Sequence, residues 1–243
     1  MRSRAIIYLL LISGFSLLKA QVTDFLNGHD PVQTQVQKLS EINDSIFNIH
    51  ENLLNGRIYT GRGDKINHPF FIENSWNPGK VCYSGTVSEE EILKYDISTD
   101  NLIILFNVKG SAYPVSINRD IVKEFYLRGH HFILLEGFKC TDGQNLIPGY
   151  YEIIFDGKLR FYIRHEKKEN FNRLNQQQEY SGTISFYLKK DGNFVRIKKR
   201  KDLLKALNDQ KDEIKSFIRE NDLHISLNNI ESVINILEFY DNL

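Results

Sequence analysis

Along residues 57–199 apolar and polar positions alternate in short runs, and on either side of that stretch apolar residues recur every three or four positions. The first pattern belongs to half-buried strands and the second to helices with one apolar stripe. Val32, Val36, Leu39, Ile42, Ile46, Ile49 and Leu53 form such a stripe. It begins after Asp30-Pro31, an N-cap followed by a first-turn proline, and Asn55-Gly56 ends it. Strands are expected over 81–87, 91–97, 102–107, 115–117, 121–127, 132–135, 150–155, 159–164, 183–188 and 194–197. Ser98-Thr99-Asp100-Asn101 and Arg128-Gly129-His130 read as turns, and Asp156-Gly157 and Asp191-Gly192 as tight two-residue turns with positive φ. Short strands at hairpin spacing predict a mainly β fold, an antiparallel sandwich, barrel or meander. Helical spacing then returns at Leu203, Leu204 and Leu207, at Ile214, Phe217 and Ile218, and at Ile230, Val233, Ile234, Leu237 and Tyr240. These patches predict a C-terminal cluster of about three short helices.

The N-terminus adds a destination. Arg2 and Arg4 precede a nearly unbroken apolar run from Ala5 to Leu18, and the small Ala20 stands before Gln21. That order is a secretory signal peptide, and the run is shorter than the roughly 20 residues of a bilayer-spanning helix. The expected division is therefore 1–20 signal peptide, 21–56 N-terminal amphipathic helix, 57–199 antiparallel β domain and 200–243 helical C-terminal appendage. Export to the periplasm, cell surface or extracellular space follows, with no transmembrane span after cleavage. The whole chain balances 31 Lys plus Arg against 31 Asp plus Glu, so loss of the leader's three basic residues leaves a net charge of about −3. That charge does not suit a nucleic-acid binder. Cys82 and Cys140 form a disulfide candidate in an exported chain, with two small buried thiols as the alternative.

Candidate chemistry is sparse. Gly-x-Ser-x-Gly, His-Glu-x-x-His, a phosphate loop and a dinucleotide fingerprint are all missing. No catalytic residue, cofactor or metal is assigned on this basis. His130 and His131 are neighbours on a strand and point to opposite faces, so one ion cannot easily take both, although one of them could join His68 or His165. Glu90, Glu91, Asp96, Glu136, Glu152 and Asp156 lie in the β region, where two acids could meet across strands for glycoside cleavage. Trp76 and the many Tyr and Phe could stack on a sugar or fill the core. His68, Trp76 and His130 are the ligand-binding candidates. The basic run from Arg196 to Lys201 reads as a solvated strand end leading into a helix. Arg62-Gly63-Asp64 reads as an exposed loop, not an adhesion signal.

The order of several short motifs resembles a family of exported proteins from the Bacteroidota. These are Asn55-Gly56-Arg57-x-Tyr59, His68-Pro69-Phe70-Phe71, Trp76, Gly79-x-Val81, Tyr95-Asp96-Ile97, Gly149-Tyr150-Tyr151-Glu152 and Asp156-Gly157, followed by Leu203-Leu204, Ile218 and a Tyr240-Asp241-Asn242-Leu243 ending. The resemblance covers most of the mature chain and implies a signal peptide, a β-rich body and a helical tail. It brings no catalytic residue with it, and Cys82 and Cys140 are not part of its pattern. Three functions stand as expectations. The first is a non-enzymatic accessory or binding protein whose partner is an envelope protein or extracellular ligand. The others are a hydrolase of an extracellular glycan or peptide, and a subunit of an envelope assembly.

Overall fold

In a computed structural model of the chain, the described residues are 57–61, 67–83, 86–88, 90–108, 111–173, 176–227 and 229–243. The expected signal peptide, the expected N-terminal helix and Arg62-Gly63-Asp64 lie outside them.

The alternating region forms twelve strands: β1 (Arg57–Ile58), β2 (Asn77–Tyr83), β3 (Thr86–Val87), β4 (Glu91–Asp96), β5 (Asn101–Val108), β6 (Ser111–Ser116), β7 (Val122–Leu127), β8 (His130–Leu135), β9 (Gly149–Asp156), β10 (Arg160–Asn172), β11 (Gln177–Lys190) and β12 (Asn193–Ile197). All belong to one sheet, ordered β1-β6-β5-β4-β2-β7-β8-β9-β10-β11-β12, with β3 beside β2. The named strand pairs are antiparallel and the path is open, so the sheet does not close as a barrel. Most neighbours are consecutive hairpins. The exceptions are β1, which pairs with β6, and β2, which pairs with β4 on one side and β7 on the other. Three helices follow, α1 (Arg200–Ala206), α2 (Lys211–Glu220) and α3 (Ile230–Asp241), with a 3₁₀ turn at Asn208–Gln210 between the first two. None of the described helices is long and apolar enough to cross a membrane.

The N-terminal half of the sheet curls on itself. Bulges, which sharpen local twist, interrupt β2 at Cys82/Tyr83 and the β9–β10 pair at Phe161/Tyr162. Tyr95 of β4 thereby meets Phe125 of β7, Phe132 of β8 and Tyr150 of β9 edge-on, at ring separations of 5.2, 5.2 and 6.0 Å. Each such pair adds about 0.5–1.5 kcal/mol to the burial of its apolar area. Leu93, Leu102, Ile104, Val115, Val122 and Leu127 complete this core. The curl brings β4 back to β10, where the Lys167 N–H donates to the Ile97 carbonyl at 3.2 Å. The His68–Phe71 segment lies along that seam. Phe71 N donates to Tyr95 O at 2.8 Å, and Ile97 N to Pro69 O at 3.1 Å.

The C-terminal half is covered on both faces, and strand alternation sorts its side chains. Phe161, Leu188 and Ile197 pack with Leu203, Leu207, Ile214, Val233, Ile236 and Leu237 of the helical region. Their neighbours Tyr162 and Phe194 point the other way, onto Cys140 and Leu146 of the β8–β9 connection. Arg196 and Ile197 end β12 and Arg200 opens α1, so the basic run is a strand end entering a helix, with Lys198–Lys201 exposed. Cys82 and Cys140 are separate buried thiols, one on β2 and the other against Phe194 of β12.

Two dipeptides of identical sequence meet different fates. Asp191 and Gly192 both have positive φ, 49° and 78°, and join Lys190 to Asn193 as the expected tight turn. Asp156 instead ends β9 opposite Arg160, which leaves a loop of Gly157, Lys158 and Leu159, without the expected positive φ. Glycine is needed there for space. A side chain would strike the Asp241 carboxylate, which closes α3 onto the loop by accepting from Lys158 N. Gly157→Ala should therefore lower unfolding free energy in urea by about 1–3 kcal/mol, the range of overpacking. Gly192→Ala would act through its φ alone.

Candidate functional site

Strand β10 carries the charged groups of interest on its two faces. Arg164 follows the apolar run Phe161-Tyr162-Ile163, and Asp100 sits at the tip of the β4–β5 turn with φ 58°, a conformation Asp tolerates. Asp96 holds that turn by accepting from Ser98 N at 2.9 Å, Ser98 Oγ at 2.7 Å and Thr99 N at 3.2 Å. Asp100 Oδ1 accepts from Arg164 Nη1 at 2.9 Å and from the Tyr95 hydroxyl at 2.6 Å. Asp100 Oδ2 accepts from Arg119 Nη1 at 2.9 Å, and both oxygens lie 3.3 Å from Tyr150 N. Arg164 Nη1 also donates to the Tyr150 carbonyl at 2.7 Å.

The Arg164 and Asp100 side chains are only 7% and 9% exposed. Burying two charges is costly, and it is tolerated here because hydrogen bonds surround the carboxylate. Burial draws the Arg164 pKa down, but Tyr95 and Asp100 outweigh it and the group is held above its ordinary value. Burial, reinforced by Asp100, holds the Tyr95 phenol well above its own and keeps it a neutral donor. Gly149 makes the arrangement possible, because a side chain there would overlap Asp100 Oδ2 and the Arg164 guanidinium. One donor is left over: Arg164 Nε is buried and has no hydrogen-bond partner among the described residues. Glu166 Oε1 stands 4.0 Å from it.

A cleft of about 430 Å³ opens beside this pair. Its walls are the Ile97–Asp100 turn, Arg164, Glu166, Lys167 and Lys168 of β10 with Arg119, and Ile147-Pro148 of the β8–β9 connection. Four lining residues are cationic, Arg119, Arg164, Lys167 and Lys168, against the acids Asp100 and Glu166. Ile147 is 60% exposed at its edge.

On the other face of β10, His165 Nε2 lies 2.5 Å from Glu152 Oε2, while His130 Nδ1 meets Glu152 Oε1. Each imidazole takes a different oxygen, and no group of three or more His, Cys, Asp or Glu among the described residues is arranged to hold a metal ion. Burial raises the Glu152 pKa, but the bonds from His165 and His130 outweigh it and hold the carboxyl below its ordinary 4.5. Phe71 stands edge-on to both imidazoles, 4.9 Å from His165 and 5.0 Å from His130. His131 points the opposite way, to Glu124 at 3.0 Å, stacked on Tyr126.

The three sequence candidates fall on two sides of the His68–Phe71 segment. His68 stacks near Phe70 at 6.0 Å, and Lys94 Nζ lies 4.8 Å above both Phe70 and Trp76. Burial, and then the Lys167 ammonium, hold His68 below the ordinary imidazole value. His130 belongs instead to the Glu152 cluster. A ring of Trp76 is thus already engaged by the chain's own lysine. Three of the six acids considered for glycoside cleavage have separate employment: Asp96 in its turn, Glu152 between imidazoles, and Asp156 with Arg160 at 2.5 Å. Sequence reasoning passed over Asp100, Arg119 and Arg164 as site residues. The available signal was Arg164 itself, a charge directly after three apolar strand residues.

No protein-family model matches the chain, and no curated protein or solved structure matches it.

Two measurements probe the geometry. Gly149→Ala should cost about 3 kcal/mol or more in urea unfolding, because the buried pair must part to admit a methyl group. For Glu152, the depressed folded pKa means stability that is present above 4.5 and lost as pH falls through the folded value. Glu152→Gln should therefore be less stable than wild type by about 2 kcal/mol at pH 5, a gap that narrows steadily toward pH 3.

Proposed function

We propose that this chain is an exported, non-enzymatic binding protein of the periplasm or cell surface, and that its ligand enters the cleft between the β4–β5 turn, β10 and Ile147-Pro148. The observation carrying the reading is the pair of guanidiniums fixed on Asp100 at the cleft wall. Arginine keeps its proton throughout the working pH range, so such groups offer charge and oriented donors, not proton transfer. Strand β10 and the filled core hold Arg164 in place, and Asp100 holds Arg119 from the β6–β7 connection, which lowers the ordering cost of binding. The charged start, apolar run and small-residue end of residues 1–20 support export, as does the resemblance of the motif order to an exported Bacteroidota family.

One observation favours a second reading, a hydrolase of an extracellular glycan or peptide. Glu152 fixes Nδ1 of the 36% exposed His130, which orients that imidazole as a base would be oriented.

The test is a thermal-shift panel of envelope saccharides, peptides and organic acids, with each compound recovered and weighed by mass spectrometry. Protein purified from its own cells should begin at Gln21. At least one compound should raise the melting temperature and be recovered intact. A ligand at about 100 times its Kd contributes about 2.7 kcal/mol of stability. Ile147→Trp, which fills the cleft from an exposed position, should abolish the shift. Consumption of the compound would decide for the hydrolase, and shifts indifferent to Ile147→Trp would move the site elsewhere.

A further inference from the structure

We propose that the cleft is an oxyanion site, built to take a carboxylate, sulfate or phosphate group of the ligand, with Arg164 Nε as its innermost donor and Arg119 and Lys168 flanking it. The assignment rests on the cleft being the binding site. Three observations carry it.

Arg164 is more than nine-tenths buried, yet its Nε–H has no hydrogen-bond partner among the described residues. Buried donors are rarely left unmet, and an unpartnered one in a cleft wall marks the place of a missing acceptor. The charge around it is also unbalanced: with the Lys167 ammonium committed to the His68 and Phe70 carbonyls, the three cations Arg119, Arg164 and Lys168 face the two acids Asp100 and Glu166. Asp100 already accepts from Tyr95, Arg164, Arg119 and the Tyr150 amide. Its negative charge is therefore spent on one guanidinium while two converge. Lys168 is exposed on the rim and forms no salt bridge among the described residues.

The third observation is Glu166. Its carboxylate stands 4.0 Å from Arg164 Nε, beyond hydrogen-bond reach of the unmet donor. It is 29% exposed and can swing outward. Glu166 thus acts as a tethered competitor, the chain's own carboxylate held beside the place where a ligand's oxyanion binds. A guanidinium suits this role because its planar donors match the spacing of carboxylate, sulfate and phosphate oxygens.

The experiment follows the Arg164 Nε–H signal by NMR while sulfate, phosphate or acetate replaces chloride at constant ionic strength. At least one oxyanion should shift that signal saturably. The three arms show whether doubly charged tetrahedral or singly charged planar groups are preferred. Lys168→Gln should weaken the binding roughly threefold, the size of one exposed charge pair. Glu166→Gln should strengthen it by a similar factor, by removing the competitor. A remote variant with the same charge change as Lys168→Gln, Lys215→Gln on the exposed side of α2, should leave the affinity unchanged, and an equal loss there would assign the binding to general charge and overturn the site. Failure of every oxyanion to move the signal, or an unchanged affinity in both variants, would overturn the assignment. Compounds whose binding Ile147→Trp abolishes but which are uncharged would then leave the binding reading standing without the anion.

Discussion

The bond between Asp100 and Arg164 ties the tip of one hairpin to a strand five places away in the sheet. Around it the Tyr95 hydroxyl, the Tyr150 amide and carbonyl, and Arg119 are all set. Gly149 leaves room for it and the curl of β2, β7, β8 and β9 delivers its two ends. Buried ion pairs seldom add much net stability compared with a well-packed apolar replacement. What this one supplies is position. It fixes how far the sheet curls and which donors face the neighbouring cleft.

Much of the strand pattern was readable because one face of each strand is apolar. Residues 91–97, 102–107, 121–127 and 150–155 alternate or run apolar, and the strands found there begin or end within a residue or two of those limits. The readings failed where packing, not periodicity, does the work. Strand β10 continues eight residues past Arg164 through His165-Glu166-Lys167-Lys168, and β11 begins at Gln177, because the two long strands pair along a polar, largely exposed stretch. Asp156-Gly157 misled for a related reason, since its glycine answers to α3 and not to the turn. The three helices were legible from their stripes, but that they share a core with Phe161, Leu188 and Ile197 was not.

The candidate site was legible in fragments. His130 and His165 were noted, and the opposite orientation of His131 followed from strand geometry. Glu152, which joins the first two, was one acid among six. Asp100 appeared as a turn residue and Arg164 as the end of a strand. They are 64 positions apart, and they meet because β2 separates β4 from β7 in the sheet. Local spacing carries no record of that insertion.

The return of β4 to β10 also sets an order of assembly. Synthesis begins at the N-terminus, so Tyr95, Phe125 and Phe132 are made before Tyr150, and all of them before Arg164 and Lys167. Until β9 and β10 exist, the first eight strands have partners but no closing seam, and the aromatic face they share stays wet. Pairings this distant in sequence form slowly, and uncovered apolar faces invite association meanwhile. The contact that fixes the cleft therefore waits for β10, and a growing chain acquires its binding geometry only after the first nine strands are made.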